Sequence, residues 1–150
     1  MKVIHKEVEN SYTIRFSKNI KSFINKQKSI YSKIAIVSDT NIWTLYSKSL
    51  PSKGILNINI KPGEKSKSIR VKNQIEEELL KNNFNRKSLI IAIGGGVVGD
   101  LTAYTASTFM RGVDLIHIPT SLVAIVDSSI GGKTGIDNKY GKNLIGTFYN

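Results

Sequence analysis

The chain has 150 residues, 40% hydrophobic and 22% charged, which is enough to bury the core of one α/β-sized domain. It has no cysteine, which excludes a disulfide scaffold, a thiolate metal site and a cysteine nucleophile. The net charge of +11 lies entirely in residues 1–88, with 18 Lys/Arg against 7 Asp/Glu; residues 89–150 hold 4 against 4. The excess lysines (Lys18, Lys21, Lys26, Lys28, Lys33) stand singly among Ser, Asn and Ile without interleaved aromatics. That pattern reads as a solvated face, so no nucleic-acid partner is expected. No apolar run approaches a membrane span and the first ten residues lack a signal-peptide core, so a cytoplasmic protein without a membrane partner is expected.

In chain order, short strands are expected near Val3–Val8 and Tyr12–Phe16, then a short amphipathic helix around Ile20, Phe23 and Ile24. Lys33–Asp39 reads as a buried strand. A helix over Ile42–Leu50 follows, with Thr40 and Asn41 offering capping oxygens. A strand over Ile55–Ile60 closes at Lys61-Pro62-Gly63-Glu64, and Val71, Ile75, Leu79 and Leu80 give Ile69–Asn83 helical periodicity. Ser88–Ile93 is the strongest strand and runs into Gly94-Gly95-Gly96-Val97-Val98-Gly99-Asp100, with a helix over Leu101–Phe109 and a strand over Leu115–Ile118. The alternation predicts an α/β, Rossmann-like, mostly parallel sheet with helices on both faces, and residues 1–150 are read as a single domain.

Gly94, Gly96 and Gly99 fit G-x-G-x-x-G after a buried strand and before a helix, a turn that lets a pyrophosphate approach backbone N–H groups. Asp114 stands at the count of the usual ribose-binding carboxylate, but it precedes its strand and is read as a solvated turn residue. Gly132-Lys133-Thr134 imitates the end of a phosphate loop, yet the required upstream glycine is Asp127, which argues against an ATPase. Residues 119–143 are Gly-rich and polar; with Asp100 and Arg111 they include the cations Arg111, Lys133 and Lys142, the carboxylates Asp100 and Asp127, and Asn143. Cations on Gly-rich loops suit a phosphate- or carboxylate-bearing substrate.

From Gly94 onward the sequence GGGVVGDLTAYTASTFMRGVDLIHIPTSLVAIVDSSIGGKTGIDNKYGKNLIGTFY closely resembles 3-dehydroquinate synthase of the sugar-phosphate cyclases. Ser38-Asp39-Thr40-Asn41 and Pro62-Gly63-Glu64-Lys65-Ser66-Lys67 resemble that family's earlier nucleotide motifs, in the right order. The resemblance implies an NAD-binding N-terminal half and a helical C-terminal domain holding a divalent metal, zinc or cobalt. It implies conversion of 3-deoxy-D-arabino-heptulosonate 7-phosphate, a phosphorylated sugar acid, to 3-dehydroquinate with loss of phosphate. The implied route is oxidation of a ring carbinol, phosphate elimination, return of the hydride, ring opening and an intramolecular aldol closure.

Cofactor contacts are implied at Asp39, Asn41, Glu64, Lys67, Gly95, Gly96, Val97, Asp100, Thr120, Ser121 and Lys142. Substrate contacts are implied at Arg111, Asp127, Lys133 and Asn143. Where the family commonly has a second threonine after the proline, this chain has Ser121, which keeps the hydroxyl. The histidines are His5, expected to be exposed, and His117, expected mid-strand as a satisfied sheet residue, so no metal ligand is expected in residues 1–150. These residues are therefore expected to be the N-terminal part of a longer two-domain homodimeric enzyme, binding NAD weakly and not turning over alone. Other readings are an inosose- or valiolone-type cyclase, a metal-dependent glycerol dehydrogenase, and a non-catalytic NAD-binding module.

Overall fold

The computed structural model describes residues 2–6 and 11–149. Strands β1 (Lys2–Lys6) and β2 (Ser11–Arg15) pair antiparallel as a separate ribbon. Four further strands form the main sheet: β3 (Lys33–Asp39), β4 (Leu56–Ile60), β5 (Ser88–Gly94) and β6 (Asp114–Pro119). All are parallel, in the spatial order β4-β3-β5-β6. Helices α1 (Ile20–Gln27), α2 (Thr40–Tyr46), α3 (Ile69–Lys81) and α4 (Gly96–Thr108) connect them.

Strict alternation along β3 and β5 builds the two-sided core. Ala35, Val37, Ile90 and Ala92 face the side packed by α3 and α4. Ile34, Ile36, Leu89, Ile91 and Ile93 face the other, with Ile24 of α1 and, at its margin, Ile42 and Trp43 of α2. Helices on both faces are thus observed. Every residue of β5 is buried, as a central parallel strand requires.

Two helices begin elsewhere than the sequence suggests. Thr40 and Asn41 do not cap α2: they lie inside it, and Asp39 Oδ1 accepts from the Asn41 and Ile42 amides, both at 2.9 Å. A carboxylate at this position also complements the helix dipole. Helix α4 starts at Gly96, within the glycine run, so the bend and the helix N-terminus are one feature.

Residues 119–148 are more ordered than a polar loop. After Thr120 the chain winds through a helical turn that ends in a π-type segment, Ala124–Ser128. It then forms an antiparallel hairpin, β7 (Lys133–Asn138) and β8 (Gly141–Phe148), absent from the sequence-based expectation. Ile136 of β7 enters the core beside α3 and α4, and Thr147 donates to Ser107 of α4 at 2.8 Å. The Asp137 amide donates to the Lys67 carbonyl at 2.8 Å, tying the hairpin to the segment after β4. Among the described residues no helix is long and apolar enough to cross a membrane.

Candidate functional site

The strand order changes direction between β3 and β5: β3 leads outward to β4, whereas β5 leads the opposite way to β6. In open α/β sheets this switch point opens a crevice at the carboxyl ends of the strands. Asp39 ends β3, and Gly94 ends β5. The turn carrying Glu64 and Lys67 follows β4 at the same edge, and Thr120 and Ser121 follow β6. Residues from all three nucleotide-like motifs therefore converge on one edge.

Gly94 and Gly95 of the bend have different tasks. A Cβ on Gly94 would lie 2.6 Å from both Cβ and Cγ2 of Val98, so this glycine lets α4 close onto β5. A Cβ on Gly95 would meet nothing nearer than Ser121 Oγ at 3.6 Å. Gly95 is the N-cap of α4 and supplies no side-chain oxygen, leaving the first-turn amides without a capping side chain. That donor set, at the positive end of a 13-residue helix, fits a pyrophosphate.

Two ion pairs connect four residues assigned by resemblance to the cofactor. Lys67 Nζ lies 2.5 Å from Asp100 Oδ2, with the lysine side chain only 5% exposed. Lys142 Nζ of β8 lies 3.7 Å from Glu64 Oε1, a looser and more exposed pair. Burial raises the Asp100 carboxyl pKa above its ordinary value; Lys67 opposes the shift, and the negative charges of Asp127 and Glu64 reinforce it.

Beside α4 lies a cavity of about 420 Å³, lined by Asp100, Asp127, Ser128, Lys133, Thr134 and Asn143, among others. Ser128 Oγ stands 3.8 Å from where a Gly96 Cβ would be, so the cavity abuts the first turn of α4. The lysine hairpin and Asp100 of α4 thus line one crevice next to the glycine bend, whose own residues do not line it. Asn143 is held in the left-handed region at φ 57°, and its backbone N–H donates to Asp137 Oδ1 at 2.9 Å, leaving the side-chain amide to the cavity. Leu144 and Phe148, 62% and 81% exposed, form an apolar wall.

Arg111 is not brought to this cavity. It lies in the turn after α4, where the Met110 carbonyl accepts from Arg86 Nε at 3.0 Å, and β6 then starts with Asp114 opposite Leu89 near the start of β5. Asp114 is likewise at the amino edge and exposed, as expected. His117 lies mid-strand on the α4 side of β6, its Nδ1 3.5 Å from the position of a Gly99 Cβ. Desolvation lowers its pKa to about 4. His5 lies where side chains are outside the described residues.

Sequence reasoning missed Ser128, Thr134, Gly146 and Thr147 as cavity residues. Ser128 was findable from its place directly after Asp127 in the polar run. The hairpin residues were not, since only the pairing of β7 with β8 brings them to the cavity.

The architecture is an α/β fold shared with solved synthases of low sequence identity. It matches the crystal structure of a 2-deoxy-scyllo-inosose synthase complexed with carbaglucose-6-phosphate, NAD+ and Co2+, with a TM-score of 0.84 at 23% identity over 99% of this chain and 43% of that one. It also matches 2-epi-5-epi-valiolone synthase from Streptomyces hygroscopicus with NAD+ and Zn2+ bound, with a TM-score of 0.83 at 23% identity over 98% and 43%. In sequence, the profile described as 3-dehydroquinate synthase N-terminal matches residues 57–150. A 3-dehydroquinate synthase of Clostridium kluyveri is 43% identical over 94% of this chain and 42% of its own length. The chain belongs to the 3-dehydroquinate synthase family, and it spans less than half the length of that curated relative.

Proposed function

We propose that these residues are the dinucleotide-binding part of a lyase that converts 3-deoxy-D-arabino-heptulosonate 7-phosphate to 3-dehydroquinate, using NAD and releasing phosphate. The observation that carries the reading is the cavity lined by Asp100 of α4 and by the hairpin bearing Lys133 and Asn143, next to the first turn of that helix. In this reading the amides of Gly95, Gly96 and Val97 hold the pyrophosphate of NAD. Asp39 and Asn41 lie beside it across the switch point, and Thr120 and Ser121 flank the bend. When bound, NAD supplies a reversible hydride acceptor, which favours a site that retains it between steps.

The side chains divide the remaining work by charge. Lys133, exposed in the cavity, binds an anionic end of the substrate, and the Asn143 amide bonds a hydroxyl or phosphate oxygen. Asp127 accepts from a substrate hydroxyl near the reacting carbon. Lys67 keeps Asp100 oriented at the cavity floor. The pairing of Glu64 with Lys142 draws the hairpin over the cofactor edge. Arg111 lies too far along α4 to join this set within one chain.

Among the described residues no three His, Cys, Asp or Glu side chains are grouped to hold a metal ion. Leu122, Val123 and Val126 are each at least 65% exposed, as is Phe148 of the cavity wall. In this reading a helical second domain covers these apolar side chains. The intact enzyme is a homodimer in this proposal, a state that light scattering checks.

Phosphate release from 3-deoxy-D-arabino-heptulosonate 7-phosphate by the protein carrying these residues tests the reaction, with calorimetric titration of NAD testing the cofactor. Release from a phosphorylated hexose alone would favour a cyclase of the inosose type. NAD-dependent oxidation of glycerol without phosphate release would favour a dehydrogenase.

A further inference from the structure

We infer that Tyr12 is a positioning residue for Lys133, acting through the peptide of Ile130; the inference rests on the reading of Lys133 proposed above. Tyr12 lies on β2, in the N-terminal ribbon that contributes no motif. Its hydroxyl donates to the Ile130 carbonyl at 3.0 Å, across 118 residues of sequence. Ile130 opens the Ile130-Gly131-Gly132 segment that delivers Lys133 to the cavity.

That segment needs anchoring. Two successive glycines lose more conformational freedom on ordering than any other pair, and Gly132 sits at φ 64°. Among the described residues four hydrogen bonds hold it. The Ile130 and Gly131 amides donate to the Asp127 carbonyl at 3.0 and 2.8 Å, and the Tyr149 amide donates to the Gly132 carbonyl at 2.7 Å. The Tyr12 hydroxyl is the fourth, and the one bond of the four donated by a side chain. Tyr149 is itself fixed, its hydroxyl donating to the Val113 carbonyl at 2.9 Å.

The bonds to Asp127 tie the segment to a residue only a few positions upstream, so they move with it. The tyrosines refer it to β2 on one side and to the start of β6 on the other. Losing one neutral hydrogen bond from such a hold shifts a local equilibrium about five- to tenfold. Lys133, at the end of the glycines, inherits the displacement.

The test is Tyr12→Phe, which keeps the ring and removes only the hydroxyl, in the protein carrying these residues. The expected result is a five- to tenfold rise in KM for the phosphorylated substrate, with NAD affinity unchanged and the thermal midpoint lowered by a few degrees at most. In a Lys133→Ala background the same substitution should cost nothing further, because the residue it acts through is gone. Faster amide hydrogen exchange at Gly131 and Gly132 is expected in Tyr12→Phe whether or not turnover is measured. Unchanged exchange, or an equal cost with and without Lys133, overturns the inference. A parent protein that binds NAD but releases no phosphate overturns the functional reading instead, and the exchange data then decide the anchoring alone.

Discussion

Lys67 and Asp100 form a buried ion pair at 2.5 Å that joins the segment after β4 to the second turn of α4. The attraction does not fully offset burial, since the Asp100 pKa is raised with desolvation as the largest cause. A carboxyl group with a raised folded-state pKa binds more protons folded than unfolded. Its contribution is therefore fully present below pH 3.8 and is lost as pH rises through the folded value. Lys67→Met removes the opposing attraction and moves the Asp100 pKa higher still. The variant should lose about 2 kcal/mol of stability at pH 7 and clearly less at pH 3.5. Urea denaturation at the two pH values checks this, with a carboxyl NMR titration of Asp100. An equal loss at both would show that the lysine acts through packing alone.

Gly94 and Gly95 are adjacent yet should respond in opposite ways to alanine. At Gly94 the new methyl meets Val98 at 2.6 Å, and overpacking should cost about 1–3 kcal/mol as α4 is pushed from β5. At Gly95 the backbone is extended, with φ −78°, and the methyl has room in the structure as it stands. Gly95→Ala should keep the thermal midpoint but weaken NAD binding at least tenfold, since the methyl enters the path of the pyrophosphate. Thermal melts and calorimetric titrations of both variants separate a glycine needed for packing from one needed for the ligand.

The sheet was legible because β3 and β5 advertise it: Leu89–Ile93 has no polar residue and is flanked by turn signals. The crevice was legible for the same reason, since motif residues following parallel strands must share the carboxyl edge. The β7–β8 hairpin was hidden by the glycines that allow it. A Cβ on Gly146 would lie 1.9 Å from the Thr134 carbonyl oxygen, so close strand approach demands residues that read as loop. Arg111 is assigned to the substrate by resemblance, but Asp100 lies in the second turn of α4 and Arg111 beyond the helix's far end, and the rise of about 1.5 Å per residue carries the chain across the sheet between them. Asp39 was overlooked as a cap because Thr40 and Asn41 are equally suitable by type; only the exit angle of β3 selects among them. Tyr12 had no local signal at all.

His117 gives the fold an acid-side weakness. Burial lowers its pKa to about 4 from 6.5, so the unfolded chain binds the extra proton between those values. Stability is then complete above pH 6.5 and falls as pH drops toward 4, by up to about 3 kcal/mol. His117→Gln removes the titrating group while keeping a polar side chain against Gly99. Denaturation midpoints at pH 7.5 and 4.5 should differ less in this variant than in the parent. If both proteins lose the same stability, the acid sensitivity lies in other groups.

Lys133 and Asn143 reach the same cavity from opposite strands of the hairpin and should fail differently. Lys133 is exposed, so Lys133→Ala should leave the fold intact while lowering kcat/KM about 100-fold through loss of a charge-assisted contact. Asn143 holds a left-handed backbone at φ 57°, where alanine adds strain unrelated to chemistry. Asn143→Gly is therefore the cleaner deletion, and it should raise KM with little change in thermal midpoint. Asn143→Asp adds a third carboxylate beside Asp100 and Asp127, and an anionic substrate should feel it most. Its kcat/KM should fall below that of Asn143→Gly, with the gap narrowing as salt is added. An Asn143→Asp enzyme as active as the parent would mean that the substrate's charge is not read at this wall of the cavity.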